Sequence, residues 1–148
     1  YEMSCGLVGS EMCIRDRFMG DTLGLIYPHG DFVQPNLPPP DFDKEILFKT
    51  LDSFEKLEIN QLAIAHFGIH KNARELIKDA KESIENWILF ISNIENLSND
   101  DASNELLKWL IRNYESLGID DETIKNYIGN GNFVMQIEGI RNYLRKRS

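Results

Sequence analysis

Gln61-Leu62-Ala63-Ile64-Ala65-His66-Phe67-Gly68 is a short apolar run that stops on a histidine just before a glycine. A run this short, without helical spacing and closed by glycine, predicts a buried strand whose C-terminal end presents His66. Phe18-Met19-Gly20-Asp21-Thr22-Leu23-Gly24 has the same form, a strand end followed by a Gly-flanked turn that carries Asp21. Functional residues of α/β folds gather at the ends of strands. Two such ends can bring an aspartate and a histidine together. A carboxylate and an imidazole suit a hard-to-borderline metal such as Zn²⁺ or Fe²⁺.

Between the two runs, Leu25-Ile26-Tyr27 predicts another strand. Residues 28–40 hold all five prolines, at 28, 35, 38, 39 and 40, which predicts an extended, stiffened loop. A stiff connector explains Pro35–Pro40 better than a peptide ligand for an SH3-like domain. Asp41 or Asp43 can cap the next helix, whose apolar positions are Ile46, Leu47, Thr50, Leu51, Phe54 and Leu57. After His66, Asn72 and Glu75 have the spacing of a capping box. Leu76, Ile77, Ala80, Ile84, Trp87, Ile88, Ile91 and Ile94 then mark a long helix. Residues 18–96 therefore read β-β-α-β-α.

From Ser98 onward the pattern is helical. Ser98 and Asp101 suit a cap, and Leu106, Leu107, Leu110, Ile111 and Tyr114 make an apolar face. A short helix is expected over Glu122–Ile128, broken by Gly129, Asn130 and Gly131, and a last helix over Phe133–Arg147. Trp87 and Trp109 sit on apolar helix faces and are expected in the core.

The first 17 residues do not fit this pattern. Leu7–Arg17 (LVGSEMCIRDR) is what one reading frame of a transposon-type sequencing-library adapter encodes. Residues 1–17 are therefore expected to be a non-native leader outside the fold. Both cysteines, Cys5 and Cys13, fall in that leader, so disulfides and cysteine-based zinc ribbons are not expected. The chain has 148 residues and a net charge of −8, or −7 without the leader's Glu2, Glu11, Asp16, Arg15 and Arg17. An acidic chain is a poor binder of phosphate backbones, so no nucleic-acid partner is expected. The basic residues Arg141–Arg147 fit a helix C-terminus, which favours cations. No apolar run is long enough for a membrane span, and a cytoplasmic protein is the expectation.

As an ordered set, FMGDTLG, PNLPPPDFD and AHFG resemble the C-terminal half of metallo-β-lactamase-fold metallohydrolases over residues 18–96. The resemblance implies an α/β fold, the second half of a four-layer αββα sandwich, with residues 97–148 as a helical extension. It implies that Asp21 bridges two divalent metal ions, zinc or iron, and orients the attacking water, and that His66 binds the second ion. Met19 departs from the pattern, where a small residue often precedes the glycine. The implied activity is metal-assisted hydrolysis of a small-molecule ester, thioester or lactam-like bond.

The family's His-x-His-x-Asp-His motif and a further histidine supply the other ligands, and this sequence has neither. His29-Gly30-Asp31 holds one histidine and follows the Gly-Asp motif, so it is not that motif displaced. A truncated reading frame is the expectation. Two ligands cannot hold two ions, so the chain alone is expected to lack retained metal and turnover. Tyr27 and His29 on the loop after Asp21, and His70 four residues after His66, are the candidate substrate-binding residues. Their plainer readings are a loop anchor, an exposed histidine and a surface or supporting histidine. The alternative function is a non-enzymatic interaction module, a homodimer formed through the C-terminal helices. A nuclease branch of the same superfamily is disfavoured by the acidic charge and by the lack of an inserted domain before His66.

Overall fold

A computed structural model describes residues 16–26, 33–66, 68–116, 118, 122, 126, 128 and 133–147, with backbone only for 16–18. Its elements are β1 (Asp16–Gly20), β2 (Leu25–Ile26), β3 (Val33–Gln34), α1 (Lys44–Glu55), β4 (Gln61–Ile64), β5 (Ile69–His70), α2 (Ala73–Asn93), α3 (Asn99–Ser116) and α4 (Val134–Arg145). The architecture is mixed α/β. β1 runs parallel to β4, β4 turns back antiparallel into β5, and the sheet order is β1-β4-β5. β2 and β3 form a separate antiparallel pair. The parallel pairing of β1 with β4 needs a crossover of a dozen or more residues, which β2, β3 and α1 supply.

The strand ends differ from the sequence reading at several points. β1 begins at Asp16, so two residues assigned to the leader lend their backbone to the ladder, which does not depend on side-chain identity. The buried strand stops at Ile64, two residues before His66, and the chain returns as β5, which was not expected. β3 lies inside the proline loop. Strands of two residues leave no periodic signal, so neither could be read from pattern.

The proline segment is also more buried than a surface connector. Val33, Gln34 and Leu37 are buried, and Leu37 packs beneath α4. A Cβ at Gly139 in α4 would overlap the Leu37 carbonyl oxygen, so only glycine lets the helix backbone come this close. Lys146 Nζ donates to the Pro40 carbonyl oxygen at 3.0 Å, which pins the end of α4 to the same strap.

Asp43 caps α1, its carboxylate accepting from the Ile46 N–H at 3.0 Å. That bond holds the Asp43 carboxyl below its ordinary range, with partial burial opposing it. Leu51 is fully buried, but Ile46 is 65% exposed. Ile46 stands five residues from Leu51, roughly 140° around the helix, which takes it off the core face. α2 buries Leu76, Ile77, Ala80, Ile84, Trp87 and Ile91 as its spacing predicts. The Asn72–Glu75 capping box does not form. Asn72 has φ −92 and ψ 55 rather than the extended backbone that aims a cap side chain, and it makes no side-chain cap bond. Ser98 does cap α3: its Oγ accepts from the Asp101 N–H at 3.1 Å and donates to the Asp101 carboxylate at 2.7 Å.

Trp87 meets the Phe133 ring edge-on at 5.6 Å, which joins α2 to the start of α4. Trp109 is only partly buried, stacked on Phe90 at 4.9 Å, so it flanks the core rather than filling it. α3 and α4 turn Leu106, Leu110, Ile137 and Ile140 into the same core that holds Leu51, Leu62 and Ile77. Tyr143 donates to Glu45 at 3.0 Å and stacks beneath the Arg147 guanidinium. Burial, and then the Glu45 hydrogen bond, push the Tyr143 hydroxyl above its ordinary pKa. The described residues of α3 and α4 are thus continuous with the α/β part through one core. The short helix expected over 122–128 lies largely outside the described residues. Among the described residues, no helix is long and apolar enough to cross a membrane.

Candidate functional site

Asp21 and His66 meet at the same end of the sheet. Asp21 comes just after β1, and His66 just after β4, its parallel neighbour. The register steps from Phe18 opposite Ala63 to Gly20 opposite Ile64, so β1 carries an extra residue at Met19. Such a bulge bends a strand and re-aims the residues beyond it. Gly20 then adopts φ +54, the left-handed region that glycine enters without strain. The Thr22 N–H donates to the Met19 carbonyl at 3.1 Å, and the Gly24 N–H to the Asp21 carbonyl at 3.0 Å. Two successive tight turns therefore hold the Asp21 backbone.

The neighbouring strand is tied to this turn. The Ala65 N–H donates to the Gly20 carbonyl at 3.1 Å, extending the β1–β4 contact past the last ladder residue. The Ile64 N–H donates to the Gly68 carbonyl at 3.2 Å, and Gly68 at φ +102 closes the loop into β5. His66 sits in that loop. Its Nε2 lies 3.7 Å from Asp21 Oδ1, with the side chains 56% and 48% exposed.

This separation bears on what the pair can hold. Ligand bonds to zinc of roughly 2.0–2.2 Å at tetrahedral angles put neighbouring donor atoms roughly 3.3–3.6 Å apart. The observed 3.7 Å is within a small side-chain rotation of that edge. The pair fits as two of the four ligands such an ion takes. Among the described residues, no group of three or more His, Cys, Asp or Glu side chains converges.

The remaining candidates fall elsewhere. Tyr27 and His29 lie outside the described residues. His70 is in β5 opposite Leu62, near the start of β4, which sets it on the order of 10 Å along the strand from the loop that holds His66. It is not exposed as a surface histidine would be. Its Nε2 is buried without a hydrogen-bond partner, beside a cavity of about 260 Å³ that Asn72, Glu75 and Asp79 also line. A groove of about 600 Å³ runs between α2 and α3 past Trp87, Trp109, Glu82 and Asn113. It contains neither Asp21 nor His66. Alternation could have shown that His70 faces the core only if the two-residue strand β5 had been visible.

Comparison of the chain with protein-family models, with curated proteins and with solved structures found no match.

Proposed function

We propose that Asp21 and His66 are two ligands of a divalent-metal centre for hydrolysis, in the second half of a four-layer αββα metallo-β-lactamase-type fold. One observation carries the reading: two residues far apart in sequence, each just past the end of a paired parallel strand, approach to 3.7 Å at a metal-compatible spacing. A bound zinc or iron ion would lower the pKa of a coordinated water and polarise the scissile carbonyl. In that setting Asp21 would hold the metal through its carboxylate and His66 would offer Nε2 as a further ligand. The Gly20 and Gly68 turns fix both backbones, so the pair is pre-positioned rather than assembled on binding. A small-molecule ester, thioester or lactam-like substrate and a cytoplasmic setting belong to the same proposal. The dimerisation module has less in its favour, because the apolar faces of α3 and α4 are already spent on the chain's own core.

The test is zinc binding and nitrophenyl-ester turnover by the chain and by its Asp21→Asn and His66→Ala variants. The proposal expects weak zinc binding that both substitutions reduce at least tenfold, and no turnover above that of free zinc. Zinc binding that both variants keep would overturn it.

A further inference from the structure

The strap between β3 and α1 is gripped by two glycines from different parts of the fold. At Gly139 in α4, an added Cβ would overlap the Leu37 carbonyl oxygen; at Gly24 it would overlap the Gln34 carbonyl oxygen and crowd Pro35. Only Pro35 and Asn36 separate the two contacted residues. Gly24 also closes the Asp21 turn, its N–H donating to the Asp21 carbonyl at 3.0 Å. Contacts therefore run without a gap from α4 through the strap to Asp21. We infer that α4 is a positioning element for Asp21, acting through Leu37, Gln34 and Gly24. Its role at a metal rests on reading Asp21 as a ligand; the mechanical link does not.

The strap is built to pass on a push. Pro35 and Pro38 hold their φ angles fixed, so the segment between them resists bending. Leu25 pairs with Gln34 and Ile26 with Val33, which ties the start of the strap to the strand that follows the turn. Leu23, Ile26, Val33 and Leu37 are each 3% exposed or less, so none of these segments slides without exposing apolar surface. Close-packed interiors of this kind transmit strain. At the far end, the bond from Lys146 Nζ to the Pro40 carbonyl keeps α4 seated on the strap.

A methyl at position 139 must push α4 and the strap apart, and the displacement reaches the turn through Gln34. Contacts that support a metal ligand typically matter roughly tenfold or more to metal affinity.

The experiment compares ¹H–¹⁵N amide spectra of the full chain and its variants, first stripped with EDTA and then titrated with Zn²⁺. In the stripped Gly139→Ala variant the Thr22 and Gly24 amide signals should move, and zinc should bind roughly tenfold more weakly. Lys146→Met releases the Pro40 carbonyl without adding bulk. It should move the same signals less, and it decides the question if Gly139→Ala does not fold. Ser98→Ala removes the cap of α3 away from the strap and should leave those signals in place. Turn signals that stay put in both α4 variants would overturn the link. Equal movement in Ser98→Ala would overturn it too, because general loosening would then suffice. Moved signals with an unchanged zinc affinity would overturn the positioning role. If the unsubstituted chain binds no zinc, the metal reading fails, while the amide shifts still decide the link.

Discussion

The helical body and the strand-end site are built on opposite terms. In the body, α2 places seven large or small apolar residues on one face, and α3 and α4 close over them until Trp87, Leu106 and Ile137 are almost fully buried. At the site, strands of five and four residues run into turns that carry two polar side chains, each about half exposed. The first region contributes stability by removing apolar area from water, roughly 1.5–3 kcal/mol for each large side chain fully buried. The second contributes little stability and holds its polar side chains at the surface. A residue that matters to the fold and one that matters to chemistry should therefore respond to substitution in opposite ways.

The largest expected effect is in the body. Trp87→Ala removes a side chain that is 1% exposed and packed edge-on against Phe133. It should cost about 3–5 kcal/mol in denaturant unfolding, and a loss below about 1 kcal/mol would break the contrast. Next comes Gly139→Ala. In an open helix this change would help by about 1 kcal/mol. Here the added methyl meets the Leu37 carbonyl, so destabilisation of about 1–3 kcal/mol is expected by the same measurement. A stabilised variant would show that α4 does not rest on the proline strap.

Smaller effects belong to exposed groups. Asp21→Asn and His66→Ala should each change stability by no more than about 0.5–1 kcal/mol, because substitutions of exposed polar side chains contribute little. Metal response, not stability, is what they should lose. The smallest effect concerns Asp43. Its folded-state pKa lies below the ordinary 3.8, so its contribution is fully present above that value and is lost as pH falls through the lower one. Asp43→Ala should therefore melt a few degrees below the unsubstituted chain near neutral pH, with the gap narrowing in acid. A gap that stays constant down to the acid limb would remove the carboxylate from the account of this cap.

The same contrast governs what could be read from sequence. α2 was legible because seven buried positions recur at helical spacing over twenty-one residues. Asp21 and His66 were legible as positions because each comes after an apolar run at a glycine. β3 and β5 were not, since two residues carry no period. The burial of Leu37 and the inward face of His70 were hidden for a related reason: both depend on which element packs above them. The contact of Gly139 with Leu37 joins residues a hundred positions apart, and neither residue signals it locally. Ile46 shows a further limit. Apolar spacing placed it on the core stripe, but the stripe is narrower than the run of apolar residues.

The central claim is that His66 presents Nε2 to a metal together with Asp21. Long-range ¹H–¹⁵N spectra of the histidine side chains, recorded while EDTA-stripped chain is titrated with Zn²⁺, test it most directly. The account predicts that the His66 Nε2 resonance shifts first and most, and that Asp21→Asn weakens the response. A His66 resonance that stays still while His29 or His70 responds would contradict it.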